Sequence, residues 1–177
     1  KVIKFVDRTF NADRQRANAI WRALLDEKYT KSYHFEICAT LLDEESFDIL
    51  SRFPKGKVQL EIGLQRTNPK TLAASSRHID AAKVIGAAKR IKDKGNVHVH
   101  LDLIAGLPYE DYTSFAKSFN DAYGSSDMLQ LGFLKLLHGT ELRARAEEYE
   151  YRYLPTPPYT VLQSKWISYD QMQRLTH

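Results

Sequence analysis

Three side chains that can do chemistry stand at alternate positions of one stretch. In VHVHLDLIAGLPYED, from Val97 to Asp111, His98, His100 and Asp102 are spaced by two. A period of two puts them on one face of a strand, with Val97, Val99, Leu101 and Leu103 on the other. Gly106-Leu-Pro108 then breaks the strand and Tyr109-Glu-Asp111 begins a helix-like segment. A half-polar strand that ends in a glycine turn before a helix points to a ligand site at the strand's C-terminal end. The same alternation sets His34, Glu36 and Cys38 on one face of Tyr33–Leu41, and Gln59, Glu61, Gly63 and Gln65 on one face of the run that starts at Lys57. Gln130 joins them from a later strand.

What chemistry these residues support differs from group to group. His98-Val-His100 can chelate zinc if further His or carboxylate ligands approach, or form a satisfied structural pair. Glu36 with Glu61 has the residue types of a glycosidase acid/base pair, but the loops lack the usual aromatic platforms. Cys38 reads as a small buried residue ahead of a nucleophile. Carboxylates and amides inside a fold cost about 1–3 kcal/mol each when unsatisfied. So many on one face therefore either pair with one another in a filled polar core or face a ligand.

The elements that must position them follow from the rest of the chain. At 177 residues, 43% hydrophobic and 27% charged, the chain has the composition of one globular domain with a sizeable core. A net charge of +4 spread over mixed signs gives no nucleic-acid arm or membrane-binding block. No apolar run approaches the roughly 20 residues of a membrane span and no secretory signal opens the chain, so a cytoplasmic location is expected. One cysteine, Cys38, excludes an intramolecular disulfide and a Cys-based metal site. Because Lys1-Val-Ile-Lys-Phe-Val6 reads as a strand from its first residue, without an initiator Met, the chain reads as a piece of something longer.

A helix is expected over Ala12–Lys28, with an apolar stripe of Ala17, Ile20, Trp21, Leu24 and Leu25. Others are expected after Asp43-Glu-Glu45, from Asn68-Pro69 in two pieces through Arg77 to Lys94, over Tyr109–Tyr123, and from Gly139-Thr140 to about Glu148. Strands alternate with them, ending with Met128–Lys135. Such alternation argues for an α/β fold with a parallel sheet and right-handed crossovers. Strands covered on both faces read as continuous apolar runs. Three strands here keep one face polar, so the expected fold is a partial (β/α) TIM-like barrel of about five parallel strands with helices on the outer face. The barrel core is expected over 1–148, followed at 149–177 by an irregular extension with short helices. Open barrel edges leave unpaired backbone, through which the chain is expected to self-associate.

Several motifs taken together resemble the radical S-adenosylmethionine (radical SAM) superfamily. Asp102-Leu-Ile-Ala-Gly-Leu-Pro108 resembles the fifth-strand motif of the oxygen-independent coproporphyrinogen oxidases, and Glu61-Ile-Gly-Leu-Gln65 the fourth-strand run, with Arg77 at the family's spacing. Leu131 to Leu142 resembles the sixth-strand segment of methylthiotransferase-like and cobalamin-dependent members, and Phe5-Val-Asp7-Arg-Thr-Phe10 the end of their second strand. VDRTFN, HFEI, EIGLQRTNP, HLDLIAGLPYEDY, LQLGFLK and PPYTVL…KW together are similar to a group carrying an N-terminal cobalamin-binding domain.

The resemblance implies S-adenosylmethionine as cofactor and a role for six residues. Glu36 and Asp102 would accept from its hydroxyl or ammonium groups, Gln65 would meet the ribose or the methionine end, and Arg77 would hold the carboxylate. Asp7 would meet the ammonium, and the backbone around Ala105-Gly106 would lie against adenine. The family's iron–sulfur cluster needs three cysteines spaced C-x-x-x-C-x-x-C. Cys38 cannot replace them, so cluster and cobalamin are expected only in a longer parent, whose 5′-deoxyadenosyl radical would act on an unknown small-molecule substrate. The catalytic residues are unknown at this point. Two other readings stay open: a degenerate barrel that binds only a nucleotide-like ligand or a protein partner, and a metal-dependent hydrolase using His98 and His100.

Overall fold

The computed structural model describes residues 1–27, 31–74 and 79–176. Five strands form one sheet: Val2–Lys4 (β1), Ser32–Ile37 (β2), Val58–Gln65 (β3), His98–Ala105 (β4) and Met128–Phe133 (β5). Their order in the sheet is their order in the chain. β1 pairs with β2, and β2 with β3, in parallel. Adding every new strand on the same side, with no reversal of direction across the sheet, is the topology of a barrel wall; a doubly wound sheet has a switch point. The expected partial barrel is what the chain forms.

Between the strands lie Arg14–Leu25 (α1), Glu44–Ser51 (α2), Pro69–Ala74 (α3), Ala81–Lys92 (α4) and Tyr112–Ala122 (α5). Four of them open on the same device. Asp13, Asp43 and Asp80 accept from the backbone N–H of Arg16, Ser46 and Lys83, and Asp111 accepts from that of Ser114 at 2.7 Å. Each satisfies an orphan helix donor and places negative charge at the positive end of the helix dipole. Pro69 opens α3, where its missing N–H costs nothing. α1 stops at Leu25; the expected continuation to Lys28 runs into residues outside those described.

The chain divides into two compact units. The first comprises Lys1–Gln65, Ile79–Asp102 and Ala122–Gln130. Strand β3 alternates as expected: Val58, Leu60, Ile62 and Leu64 are buried while Gln59, Glu61, Gly63 and Gln65 are half-buried. At one end the apolar side gathers into an aromatic cluster. Phe35 stacks on Phe5 at 4.7 Å between ring centroids, lies 4.5 Å from Phe10 and meets Trp21 edge-on at 6.0 Å. α1 and α2 are joined by polar contacts, in which Ser46 donates to Asn18 at 2.9 Å and Asn18 donates to Glu45 at 3.0 Å. Backbone ends are tied by side chains. Asn96 donates to the carbonyls of Leu50 and Phe53, and Asp127 accepts from the N–H of Val99.

The second unit comprises Arg66–His78, Leu103–Asp121 and Leu131–His177. Leu134 N–H donates to Ala105 O, Val161 N–H donates to Leu134 O and Leu136 N–H donates to Tyr159 O, so residues 134–136 run between the end of β4 and the C-terminal segment. That segment is more ordered than irregular structure with short helices. Arg152–Tyr153 (β6) pairs antiparallel with Val161–Gln163 (β7), and a capping box of Ser168 and Gln171 opens Tyr169–Arg174, the last helix. The helix expected to run to Glu148 is one turn, Glu141–Ala144 (α6). Tyr149 and Tyr151 are both buried, a spacing of two that a helix cannot bury on one side, and Glu150 between them takes φ +52°.

Among the described residues no helix is long and apolar enough to cross a membrane. Asn11 holds the segment after β2 by a double contact, donating to Cys38 O and accepting from Cys38 N–H, both at 2.9 Å. Asn11→Ala leaves two backbone groups without their partner, and urea unfolding should show a loss of about 2–3 kcal/mol; an unchanged midpoint would mean that solvent replaces both bonds.

Candidate cofactor site

Register places the two central carboxylates side by side. Glu36 of β2 is the partner of Glu61 of β3, and His34 that of Gln59. Like charges directly opposite repel, so cations have to intervene. Lys4, on β1, lies 3.1 Å from Glu36 and 3.7 Å from Glu61. Its ammonium pKa is raised, first by the hydrogen bond to Glu36 and then by the charges of both carboxylates, against the opposing effect of burial. His34, only 7% exposed, meets Glu61 through Nε2 at 2.9 Å.

Asp102, on β4, completes the group. Burial pushes its pKa up to about 6, with the charge of Glu61, a hydrogen bond to Glu61 and the charge of Glu36 adding to the rise, and Lys4 opposing it. Two carboxyl groups that share a hydrogen bond need one proton between them. With Lys4 and His34 both directed at Glu61, that proton falls to Asp102. The other Asp102 oxygen, Oδ1, is buried without a hydrogen-bond partner. Beyond it, Gln59 sets its amide nitrogen 3.0 and 3.1 Å from the two ring nitrogens of His100. Burial, then the neighbouring His98, lowers the His100 pKa. The rings of His98 and His100 meet edge-on at 4.7 Å, and His98 lies 3.8 Å from Asp127.

Of the six residues expected to hold a cofactor, Glu36 and Asp102 are brought into this one cluster. Asp7 also lies in the first unit, with its carboxylate 3.5 Å from Arg16. Gln65 ends β3, half-buried and in the left-handed conformation at φ +64°. Gly106 belongs to the second unit at φ +91°; a Cβ there would lie 3.3 Å from Met172 and 3.4 Å from Val161. Arg77 lies outside the described residues. Lys4 was not among the candidates, because it shares its side of Lys1–Val6 with Val2 and Val6, so alternation marks no polar face there. Glu61 belongs at the centre of the group although its motif directed attention to Gln65.

A different cluster lies within the second unit and carried no sequence signal. Arg66 and Glu110 are both buried at 1% exposure. Burial lifts the Glu110 pKa to about 7, against the opposing hydrogen bond from Ser118 and the charge of Arg66.

For a metal, the chain offers a group other than the His98–His100 pair. Ligand atoms of His34, Glu36 and Glu61 lie within 4.8 Å of one another, and this is the one such group of three among the described residues. His98 and His100 belong to none, so the histidine pair lacks the further ligands that a hydrolytic zinc site needs. Lys4 already supplies a cation to two members of the group that does form.

Comparison with known proteins gives the same fold. Residues 147–177 match a family described as a protein of unknown function, DUF4080. No curated protein sequence matches the chain. Among solved structures, the radical S-adenosylmethionine methyltransferase TsrM from Kitasatospora setae, with cobalamin and a [4Fe-4S] cluster bound, matches 89% of this chain with 34% of its own, at TM-score 0.69 and 12% identity. The same enzyme with tryptophan substrate and an S-adenosylmethionine analogue bound matches 75% of this chain with 27% of its own, at TM-score 0.63 and 13% identity. Elp3 from the archaeon Methanocaldococcus infernus matches 94% of this chain with 46% of its own, at TM-score 0.63 and 15% identity. Coproporphyrinogen III oxidase (HemN) from Escherichia coli, a radical SAM enzyme, matches 66% with 29%, at TM-score 0.50 and 20% identity. The chain thus spans between about a quarter and a half of these proteins, and its fold is that of the radical SAM barrels.

Asp102 gives a pH-dependent stability of known sign. A carboxyl whose pKa is raised by folding stabilises the fold fully below its unfolded value of 3.8, and that contribution is lost as pH rises through about 6. Asp102→Asn removes the titration. Solvent screening of a half-exposed group reduces the effect to about 1–2 kcal/mol. Urea unfolding between about pH 4 and pH 7 should show wild type losing that much relative to the variant. A constant difference between the two would place the proton elsewhere. In Lys4→Met, the Asp102 titration followed by carboxyl ¹³C NMR should move to higher pH.

Proposed function

We propose that the half-buried polar face of β2, β3 and β4 is a binding wall for S-adenosylmethionine in a radical SAM enzyme. The observation that carries the reading is Asp102: half-buried, protonated up to about pH 6, and with Oδ1 lacking a partner, in a chain with this fold. An adenosyl ribose offers vicinal hydroxyls, which both donate and accept. A carboxylate can only accept, whereas Asp102, while it carries its proton, can also donate. The pair of carboxyl groups therefore matches a diol better than it matches a lone cation. The positive sulfonium and ammonium of the cofactor are compatible with a face that carries Glu36 and Glu61 against one lysine.

Reductive cleavage of S-adenosylmethionine supplies the 5′-deoxyadenosyl radical of this enzyme class, with an electron from an iron–sulfur cluster. The residues present do not fit such a cluster. Cys38 is the sole cysteine, one thiol where three are needed, and its Sγ lies 3.2 Å from the Thr40 hydroxyl. In the proposed reading, a longer parent protein supplies the cluster cysteines, and cobalamin where it is used. Lys4, His34, Glu36, Glu61 and Asp102 bind and orient the nucleoside. Gln65 and Asp7 are further candidates in the first unit, and the substrate of the parent is a small molecule without assignment.

Isothermal titration of S-adenosylmethionine into the 177-residue chain should give a saturable isotherm. Asp102→Ala removes a hydrogen-bonding group worth about 1.5 kcal/mol or more, so the affinity should fall about tenfold or further. Glu36→Gln should weaken it in the same sense. Binding left unchanged by both substitutions would sink this assignment, and equal affinity for 5′-deoxyadenosine alone would reduce it to a nucleoside-binding barrel.

A further inference from the structure

A second concave surface lies wholly within the second unit. Lys70, Ala73, Ala74, Tyr109, Arg145 and Tyr149 line a cavity of about 390 Å³. That volume lies in the range of small-ligand sites. Lys70, Ala73 and Ala74 come from α3, after the end of β3, and Tyr109 follows the end of β4. Both belong to the strand-end side, where (β/α) barrels place their ligands.

Tyr109 is held there under strain. It takes φ +61°, a conformation that side chains other than glycine rarely adopt, yet it leaves 41% of its surface exposed. Asn68 pins its backbone by donating to Tyr109 O at 3.0 Å. Its ring lies 4.6 Å from Trp166 and 6.2 Å from Tyr149. A rigid, exposed aromatic platform, fixed by a strained backbone, is a costly feature for packing alone to maintain.

Tyr149 supplies an independent sign of a ligand. It lines the cavity, is 2% exposed, and its hydroxyl has no hydrogen-bond partner. Buried hydroxyls nearly always have one.

Charge selects what can enter. Lys70 offers an exposed ammonium, and Arg145 lies 4.4 Å over the Tyr149 ring. Glu148 holds Arg145 by two contacts at 2.8 Å, with Glu141 at 3.7 Å, so Arg145 is largely neutralised and Lys70 supplies the net positive charge. An aromatic cage without these groups would suit a cation; the Lys70 ammonium at its rim repels one.

We propose that this cavity binds a small aromatic carboxylate. Its ring stacks on Tyr109, its carboxylate meets Lys70, and the Tyr149 hydroxyl donates the hydrogen bond it otherwise lacks. The site is independent of the S-adenosylmethionine reading and stands or falls without it.

The test is a titration of the full chain by ¹H–¹⁵N NMR, reading the indole N–H of Trp166, with benzoate, cyclohexanecarboxylate and benzylamine as probes. Benzoate should shift that resonance saturably, cyclohexanecarboxylate should bind at least about fivefold more weakly, and benzylamine should leave it in place. Lys70→Gln, at an exposed position, should weaken benzoate about fivefold or more. Tyr109→Gly relieves the backbone strain while removing the ring, so the fold should be kept and benzoate binding lost. Asp102→Ala should leave benzoate binding unchanged, which separates this site from the other. No saturable shift with benzoate, benzylamine binding as well as benzoate, or affinity unaltered in Lys70→Gln would overturn the proposal.

Discussion

Two carboxylates opposite one another in a parallel register are tolerable only when something takes up their charge. Glu36 and Glu61 are such a pair, and the groups around them are arranged by that constraint. Lys4 reaches both from the edge strand, His34 meets Glu61 from inside β2, and burial beside the two carboxylates pushes the Asp102 pKa up to about 6, since a third negative charge is unfavourable there. Each of these contacts depends on the strands staying in register. A slip of one residue would turn Glu61 toward the helices and bring Leu60 or Ile62 to the polar side. The apolar alternation of β3 and the charge cluster thus specify the same pairing from opposite faces.

The sheet's order sets the two faces apart. A wall built by adding strands in sequence keeps one side under helices and leaves the other curved inward, where polar groups can meet a ligand. Asp13, Asp43, Asp80 and Asp111 start the covering helices, and Asn11, Asn96 and Asp127 fasten the loops, so polar side chains do most of the joining outside the apolar core. In the second unit, backbone hydrogen bonds from residues 134–136 to Ala105 and to residues 159–161 secure the C-terminal segment. That segment is a built part of the unit, with a strand pair and a capped helix of its own.

The two candidate sites differ in chemistry. In the first unit, carboxyl groups dominate a face with one lysine and suit a ligand bearing hydroxyls and positive charge. In the second, aromatic rings with a lysine at the rim suit a flat anion.

Much of the fold was legible in the sequence because period and punctuation are local properties. Val58, Leu60, Ile62 and Leu64 announce β3 with no knowledge of their neighbours, and Pro69 and Gly106 mark where elements start and stop. Alternation also identified the polar face, and through it Glu36 and Asp102. Charge balance was not legible, because it depends on which strands become neighbours. Lys4 is an ordinary surface lysine until β1 lies beside β2, and Asp102 an ordinary carboxylate until Glu61 lies close enough to compete for its proton. Tyr109, Tyr149 and Trp166 are three aromatics spread over nearly sixty positions, and only the fold makes them one surface. The sequence by itself determined which residues turn to the same side of each strand. Only the tertiary structure decided which of them share a proton, a charge or a cavity, since those interactions fall off within a few ångströms and depend on distance in space rather than along the chain.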